Sequence, residues 1–361
     1  MSPVYNALPG WTSTPRTAQD VADSSRASWE MLTGIIQAAQ MIPRDLRAAP
    51  KSIAFTLVSG FLGSGKTTLI NRLLAEPGGQ RIAVLVNDFG AINIDAALIS
   101  RTDRETISLT NGCACCTLAG GLTRALIDLV QLPDPPEAIV LEASGVAEPN
   151  AILQVALANP ALRLDGVLTL VDAETIQAQM QDPALRPTIE RQLFAADIVV
   201  LNKMDLVAEP GRAQLRAWID ADFPGARVTE TVNAQLPTCV VLGIGGRQLE
   251  LSEALQTFPA SHDAAQFRSW NFTGVIPLDT KQIERLAQRL ASAVIRAKGI
   301  FCLDQDPEHD YVLQLVGRRW SLERGKRREA TATRSSLVVI GLAGKVDYED
   351  LRCSVETCQM A

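Results

Sequence analysis

The chain holds 361 residues, with 34 Lys+Arg against 40 Asp+Glu, a formal net charge of −6 and 47% hydrophobic residues. That length and apolar content suit a folded two-domain protein and exclude a disordered or collagen-like chain. No apolar run reaches the ~18–20 residues that cross a bilayer, no basic-then-apolar leader opens the chain, and the negative net charge disfavours bulk nucleic-acid binding. A cytoplasmic location without a membrane span is therefore expected.

In chain order, residues 1–50 form an N-terminal extension, helical or partly disordered. Val21, Trp29, Leu32, Ile35 and Ile36 predict one helix within residues 18–42, fenced by Pro43 and Pro50. From residue 51 to 236, short apolar runs alternate with helical patterns. Ile53–Val58, Ile82–Val86, Ala138–Leu141, Gly166–Val171 and Ile198–Leu201 read as strands covered on both faces, since continuous apolar runs suit parallel strands between helical layers. Helices are expected over Thr67–Leu74, Leu122–Leu132, Pro149–Ala158 and Arg186–Ala195. This rhythm predicts an α/β fold: the parallel sheet of a phosphate-loop NTPase with helices on both faces. Residues 237–265 read as a linker with one short helix at Ser252–Gln256. Residues 266–361 read as a smaller α+β domain, with strands at Gln266–Gly274, Tyr311–Val316 and Ser336–Ile340 and helices at Thr280–Ala297 and Tyr348–Val355.

The chemistry concentrates in a few motifs. Gly60-Phe-Leu-Gly63-Ser64-Gly65-Lys66-Thr67-Thr68 fits the phosphate-loop pattern between a strand and a helix. Its glycines let backbone N–H groups turn toward phosphates, Lys66 reaches the β- and γ-phosphates, and the Thr67 hydroxyl suits Mg²⁺. Asn202-Lys203-Met204-Asp205 follows a strand at the sheet edge where nucleotides bind in open α/β folds. A carboxylate at Asp205 can accept both the N1–H and the exocyclic amine of guanine, which selects GTP over ATP. Glu142 closes another strand shortly before Gly145, the position of an acidic group near Mg²⁺ or the attacking water and of an N–H near the γ-phosphate. Asp88, after the second strand, and Asp95 are further acidic candidates near the metal.

Seven cysteines are present, and three of them crowd into Cys113-Ala-Cys115-Cys116. Thiolates suit Zn²⁺ and neighbouring late transition ions. Adjacent Cys115 and Cys116 close a tetrahedron less comfortably than a CxxC knuckle, which favours an exchangeable site over a structural one. With only His262 and His309, a multi-histidine metal store is excluded. The basic run Arg318-Arg319-Trp320 to Arg334 reads as a solvated loop, and His309, between Glu308 and Asp310, as a surface turn.

With these residues in view, the chain resembles the CobW-type GTPases, the metallochaperone family related to the urease and hydrogenase nickel-insertion GTPases. The resemblance rests on GFLGSGKTT (60–68), VNDFGAINID (86–95), NGCACCTL (111–118), LEASGVAEP (141–149) and NKMD (202–205), and extends to RAKG (296–299) and LVVIGL (337–342) in the second domain. It implies a GTPase whose nucleotide state governs a Zn²⁺ or Co²⁺ site at Cys113, Cys115 and Cys116, and a client metalloprotein that receives the metal. It leaves room for a homodimer. The histidine-rich loop that some members carry between the domains is absent here. Two other functions fit the same residues: a GTPase with a thiol redox or cofactor-assembly role, and a regulatory GTP switch that binds an acidic partner or RNA through the basic run.

Overall fold

The computed structural model describes residues 53–87, 106–109, 117–225, 227–243, 267–274, 279–328 and 335–357. The helix expected within residues 18–42, Asp88, Asp95, the three clustered cysteines and the short helix at 252–256 lie outside them.

Seven parallel strands build the first sheet: β1 (Ile53–Gly60), β2 (Ile82–Asn87), β3 (Thr106–Leu109), β4 (Ala138–Glu142), β5 (Leu162–Asp172), β6 (Ile198–Asn202) and β7 (Arg227–Glu230), in the spatial order β3-β2-β4-β1-β5-β6-β7. Alternation along each strand sends side chains to two cores. Val58, Val84, Val86, Val140, Leu168 and Val200 meet Leu69, Ile70 and Leu73 of α1 (Lys66–Ala75) on one face. Phe55, Leu57, Leu85, Ile139 and Leu141 meet α2 (Thr117–Val130) and α3 (Pro149–Leu157) on the other. Both faces are dry, which explains why these strands read as unbroken apolar runs. Helices α4 (Ile176–Gln181), α5 (Arg186–Ala195) and α6 (Gly211–Asp222) complete the cover around β6. A short helix, α7 (Thr238–Val241), buries Cys239, Val240 and Val241 in the α1-side core.

The second sheet is antiparallel, ordered β11-β10-β9-β12-β8, from β8 (Phe267–Gly274), β9 (Arg296–Leu303), β10 (Asp306–Val316), β11 (Arg319–Arg327) and β12 (Ser335–Leu342). Helix α8 (Thr280–Ala293) lays Ile283, Leu286, Ala287 and Leu290 on it, and α9 (Tyr348–Thr357) adds Leu351 and Val355. The Asp279 carboxylate caps α8 by accepting from the Gln282 N–H at 2.9 Å. The two domains share a core: Phe267, Ile295, Val316, Val338 and Ile340 join the α1-side cluster of the first sheet.

Three readings are corrected. The helix expected over Thr280–Ala297 ends at Ala293, and Arg296–Leu303 is a strand. Val294 and Ile295 continue the helical phase by coincidence, but pairing with β10 and β12 on either side overrides it. Within the basic run, Arg319–Arg327 is not a loop but an edge strand paired with β10, where cations deter pairing with a further chain. His309 likewise lies within β10 and not in a turn, with its Nδ1 at 2.9 Å from Asp306 Oδ1 and from Arg324 Nη2.

Candidate nucleotide site

The site forms along the C-terminal edge of the first sheet. After β1 the chain must turn sharply, and Gly60 and Gly65 adopt φ of 137° and 104°, which side chains rarely tolerate. A Cβ on Gly60 would stand 2.2 Å from the Leu170 carbonyl oxygen, and one on Gly65 would stand 2.3 Å from Asn202 Nδ2, so the loop is fitted against β5 and β6. Gly63, with φ of 75°, and the exposed Leu62 form its tip, while Ser64 is buried. Lys66 is 6% exposed and its Nζ donates to the carbonyls of Gly60 and Phe61 at 3.0 and 3.1 Å, folded back over the loop it serves.

Lys66, Thr67 and Thr68 open α1, whose N-terminus carries partial positive charge toward the loop. The Thr67 hydroxyl donates to Glu142 Oε1 at 2.7 Å. Glu142 stands here because β1 and β4 pair in register Val58↔Glu142, which sets the end of β4 beside the start of the loop. Hydroxyl and carboxylate oxygens converging beside a phosphate loop are the hard donor set that suits Mg²⁺. The segment after β4 is fixed from outside: Gln192 of α5, 1% exposed, donates from Nε2 to the Gly145 and Ala147 carbonyls at 3.0 and 3.4 Å. A Cβ on Gly145 would come within 2.6 Å of Leu62, so this segment and the phosphate loop touch directly.

At the other end, Asn202 closes β6 and is 2% exposed. Its Nδ2 donates to the Ser64 carbonyl at 2.8 Å, and its Oδ1 accepts from the Ala234 N–H at 2.8 Å. A carbonyl on one side and an N–H on the other fix the amide's orientation. Asn202 is thus the tie between the phosphate loop and the loop after β7. Lys203 takes φ of 62°, and its Nζ is held by Asp172 Oδ2 at 2.6 Å. Asp205 is exposed in a 3₁₀ turn, Met204–Leu206, whose Met204 N–H donates to the Thr231 carbonyl at 3.2 Å.

The structure therefore brings Gly60, Gly63, Ser64, Gly65, Lys66, Thr67, Thr68, Glu142 and Gly145 to one end of the edge and Asn202, Lys203 and Asp205 to the other. Asp88, Cys113, Cys115 and Cys116 fall outside the described residues, but β2 and β3, which precede them, run parallel with Asn87 opposite Leu109. Among the described residues, no group of three or more His, Cys, Asp or Glu is set to hold a metal ion. Sequence reasoning missed Asp172, Gln192 and the loop around Ala234. Asp172 ends an apolar strand as Glu142 does, which was an available signal, whereas Gln192 lies in an ordinary helical pattern and offered none.

One sheet edge thus carries the phosphate-loop motif and the Asn202–Asp205 motif together, the arrangement of a phosphate-loop GTPase. The family model for the CobW/HypB/UreG nucleotide-binding domain matches residues 54–230, and that for the cobalamin synthesis protein CobW C-terminal domain matches residues 267–359. The chain belongs to this CobW family. It is 31% identical to the zinc chaperone YjiA of Escherichia coli, over 84% of this chain and 97% of that one. It is also 30% identical to the zinc chaperone CobW of a Sinorhizobium species, over 82% and 94%. The crystal structure of Zn(II)-bound YjiA GTPase from E. coli aligns with a TM-score of 0.41 at 24% identity, covering 85% of this chain and 99% of that one. No helix among the described residues is long and apolar enough to cross a membrane.

Proposed function

We propose that this protein is a GTP-hydrolysing metallochaperone that binds Zn²⁺, or Co²⁺, at Cys113, Cys115 and Cys116 and hands it to a client metalloprotein as GTP is hydrolysed. The observation that carries the reading is the Thr67–Glu142 contact beside the phosphate loop, on the sheet edge to which β2 and β3 also run. Relatives that cover most of the chain are named zinc chaperones, which supports metal cargo.

In this mechanism Lys66 leaves the Gly60 and Phe61 carbonyls to bind the β- and γ-phosphates. Thr67 and Glu142 would hold Mg²⁺, which when bound would screen the phosphate charge. Glu142 and Asp88 are the carboxylates assigned to orienting the attacking water, and the Gly145 N–H is assigned to sensing the γ-phosphate. Asp205 accepts from guanine, with Lys203 braced by Asp172. GTP orders the segments after Asn87 and Glu142 so that the three thiolates converge on the metal, and hydrolysis releases them. Metal affinity then differs between nucleotide states, and the metal alters GTP affinity by the same factor.

Competition titration of Zn²⁺ and Co²⁺ tests this on wild type and on the triple variant Cys113→Ser, Cys115→Ser, Cys116→Ser, each with a GTP analogue or GDP. Binding that requires the cysteines and changes with nucleotide supports the reading. Equal affinity in the two nucleotide states, or binding that survives loss of the cysteines, refutes it.

A further inference from the structure

The turn between β4 and α3 is gripped by a helix that belongs to neither. Residues Ser144 to Ala147 close on themselves, with the Ala147 N–H donating to the Ser144 carbonyl at 2.9 Å, and the Ala143 N–H ties the start of the turn to the Val58 carbonyl of β1 at 2.9 Å. Two carbonyls of the turn, those of Gly145 and Ala147, accept from Nε2 of Gln192 on α5 at 3.0 and 3.4 Å. Peptide groups are rigid planes, so holding the carbonyls that flank Val146 fixes how the whole turn is presented. Gln192 is 1% exposed, and its own carbonyl accepts from the Thr169 hydroxyl of β5 at 3.0 Å. The gripping amide is thus carried by a helix anchored to the sheet itself. Arg191, one residue earlier, meets Glu148 just past the turn at 2.6 Å, an exposed pair that adds little. The gripped glycine also abuts the phosphate loop, since a Cβ there would stand 2.8 Å from the Leu62 backbone nitrogen.

We propose that Gln192 is a positioning residue for GTP hydrolysis. By holding the Gly145 and Ala147 carbonyls it keeps the turn after β4 set to receive the γ-phosphate, and it has no such part in binding GDP, which lacks that phosphate. The inference rests on the roles proposed for Glu142 and Gly145, and extends them to a residue that acts on the nucleotide only through the turn. A reacting group displaced by about 1 Å can cost on the order of a hundredfold in rate, so a released turn should be felt in turnover.

The test uses the full chain with Mg²⁺ and without Zn²⁺, measuring GTP turnover and the affinities for GDP and a non-hydrolysable GTP analogue. Wild type is compared with Gln192→Met, which keeps the length of the side chain and removes the donor. Gln192→Asn, which keeps the amide but draws it back by about 1.5 Å, serves as a second variant should the first fail to fold. Turnover should fall at least about tenfold and analogue binding weaken about fivefold or more, while GDP affinity stays within about twofold of wild type. Equal weakening of both nucleotides would mark Gln192 as a structural brace alone and overturn the proposal, as would wild-type turnover in the variants. With Zn²⁺ left out, such a failure leaves the metal-transfer reading to its own titration. A wild type that hydrolyses no GTP refutes that reading and this inference together.

Discussion

Replacing Arg296 by Met removes a buried side chain that bridges the two domains. The guanidinium is 3% exposed. Its Nε and Nη2 donate to the Val240 and Val241 carbonyls at 2.6 and 2.9 Å, and its Nη1 donates to the Asp165 carboxylate at 2.8 Å and its carbonyl at 3.1 Å. Met fills similar volume, so little packing is lost. The cost comes from three carbonyls and a carboxylate that lose this donor in a buried setting. Breaking one side of a buried ion pair costs ~3–5 kcal/mol, and Arg163 near Asp165 places this case toward the lower figure. At ~2–4 °C per kcal/mol for a unit of this size, the midpoint of thermal unfolding should fall by about 6–12 °C. Circular dichroism melts at pH 7 check this, and the double variant R296M/D165N separates the causes. If the orphaned carboxylate dominates, neutralising it should restore about 1.5 kcal/mol or more. An R296M midpoint within about 2 °C of wild type, or a double variant no more stable than R296M, would refute the reasoning.

Asn202→Ala strips both partners from the tie between the phosphate loop and the loop after β7, leaving the Ser64 carbonyl and the Ala234 N–H unpaired in a buried site. We expect ~2 kcal/mol of destabilisation and roughly tenfold or greater weakening of GDP binding, read by denaturant titration and nucleotide fluorescence; unchanged GDP affinity would count against the tie. Asp205→Asn exchanges an acceptor for a donor, so GTP binding should drop at least about a hundredfold while xanthosine triphosphate gains. Competitive nucleotide binding measures this, and retained preference for GTP would remove Asp205 from base reading. Cys239 is buried, and burial pushes its thiol up to about 11, whereas Cys353 is exposed. Iodoacetamide at pH 8 should therefore label Cys353 in the native protein and leave Cys239 intact by mass spectrometry; equal labelling would contradict the packing of α7.

Local features were legible in the sequence because their cause is local. The phosphate loop is written in glycines whose positive φ the turn demands, and the buried strands in apolar runs that both helical layers cover. What depended on distant partners could not be read this way. Lys203 finds Asp172 31 positions away, and Arg296 finds Asp165 131 positions away, with no spacing to announce either. Thr106–Leu109 and Arg227–Glu230 are strands because an existing sheet edge captures four residues of modest propensity. Residues 319–327 form a strand although their charges suggested solvent, since an edge strand keeps one face and one side wet. Asn202 shows a subtler gap: its membership of a motif on the nucleotide edge was readable, but its work as a brace between two loops was not.

That brace divides the nucleotide edge into unequal halves. On the side of β5 and β6, one amide joins the phosphate cradle to the base-side loops, so those parts must travel as a single block. On the side of β4, the cradle is met by the Thr67–Glu142 hydroxyl–carboxylate contact and by the apposition of Gly145 and Leu62, beside the ladder that joins β4 to β1. Under the proposed function, loss of a terminal phosphate beside Thr67 would be felt first at Glu142 and the segment after β4, the strand next to β2. With Asp205 in its proposed role, the base-side loops would keep their grip on the nucleotide meanwhile, and its exchange would need a separate event.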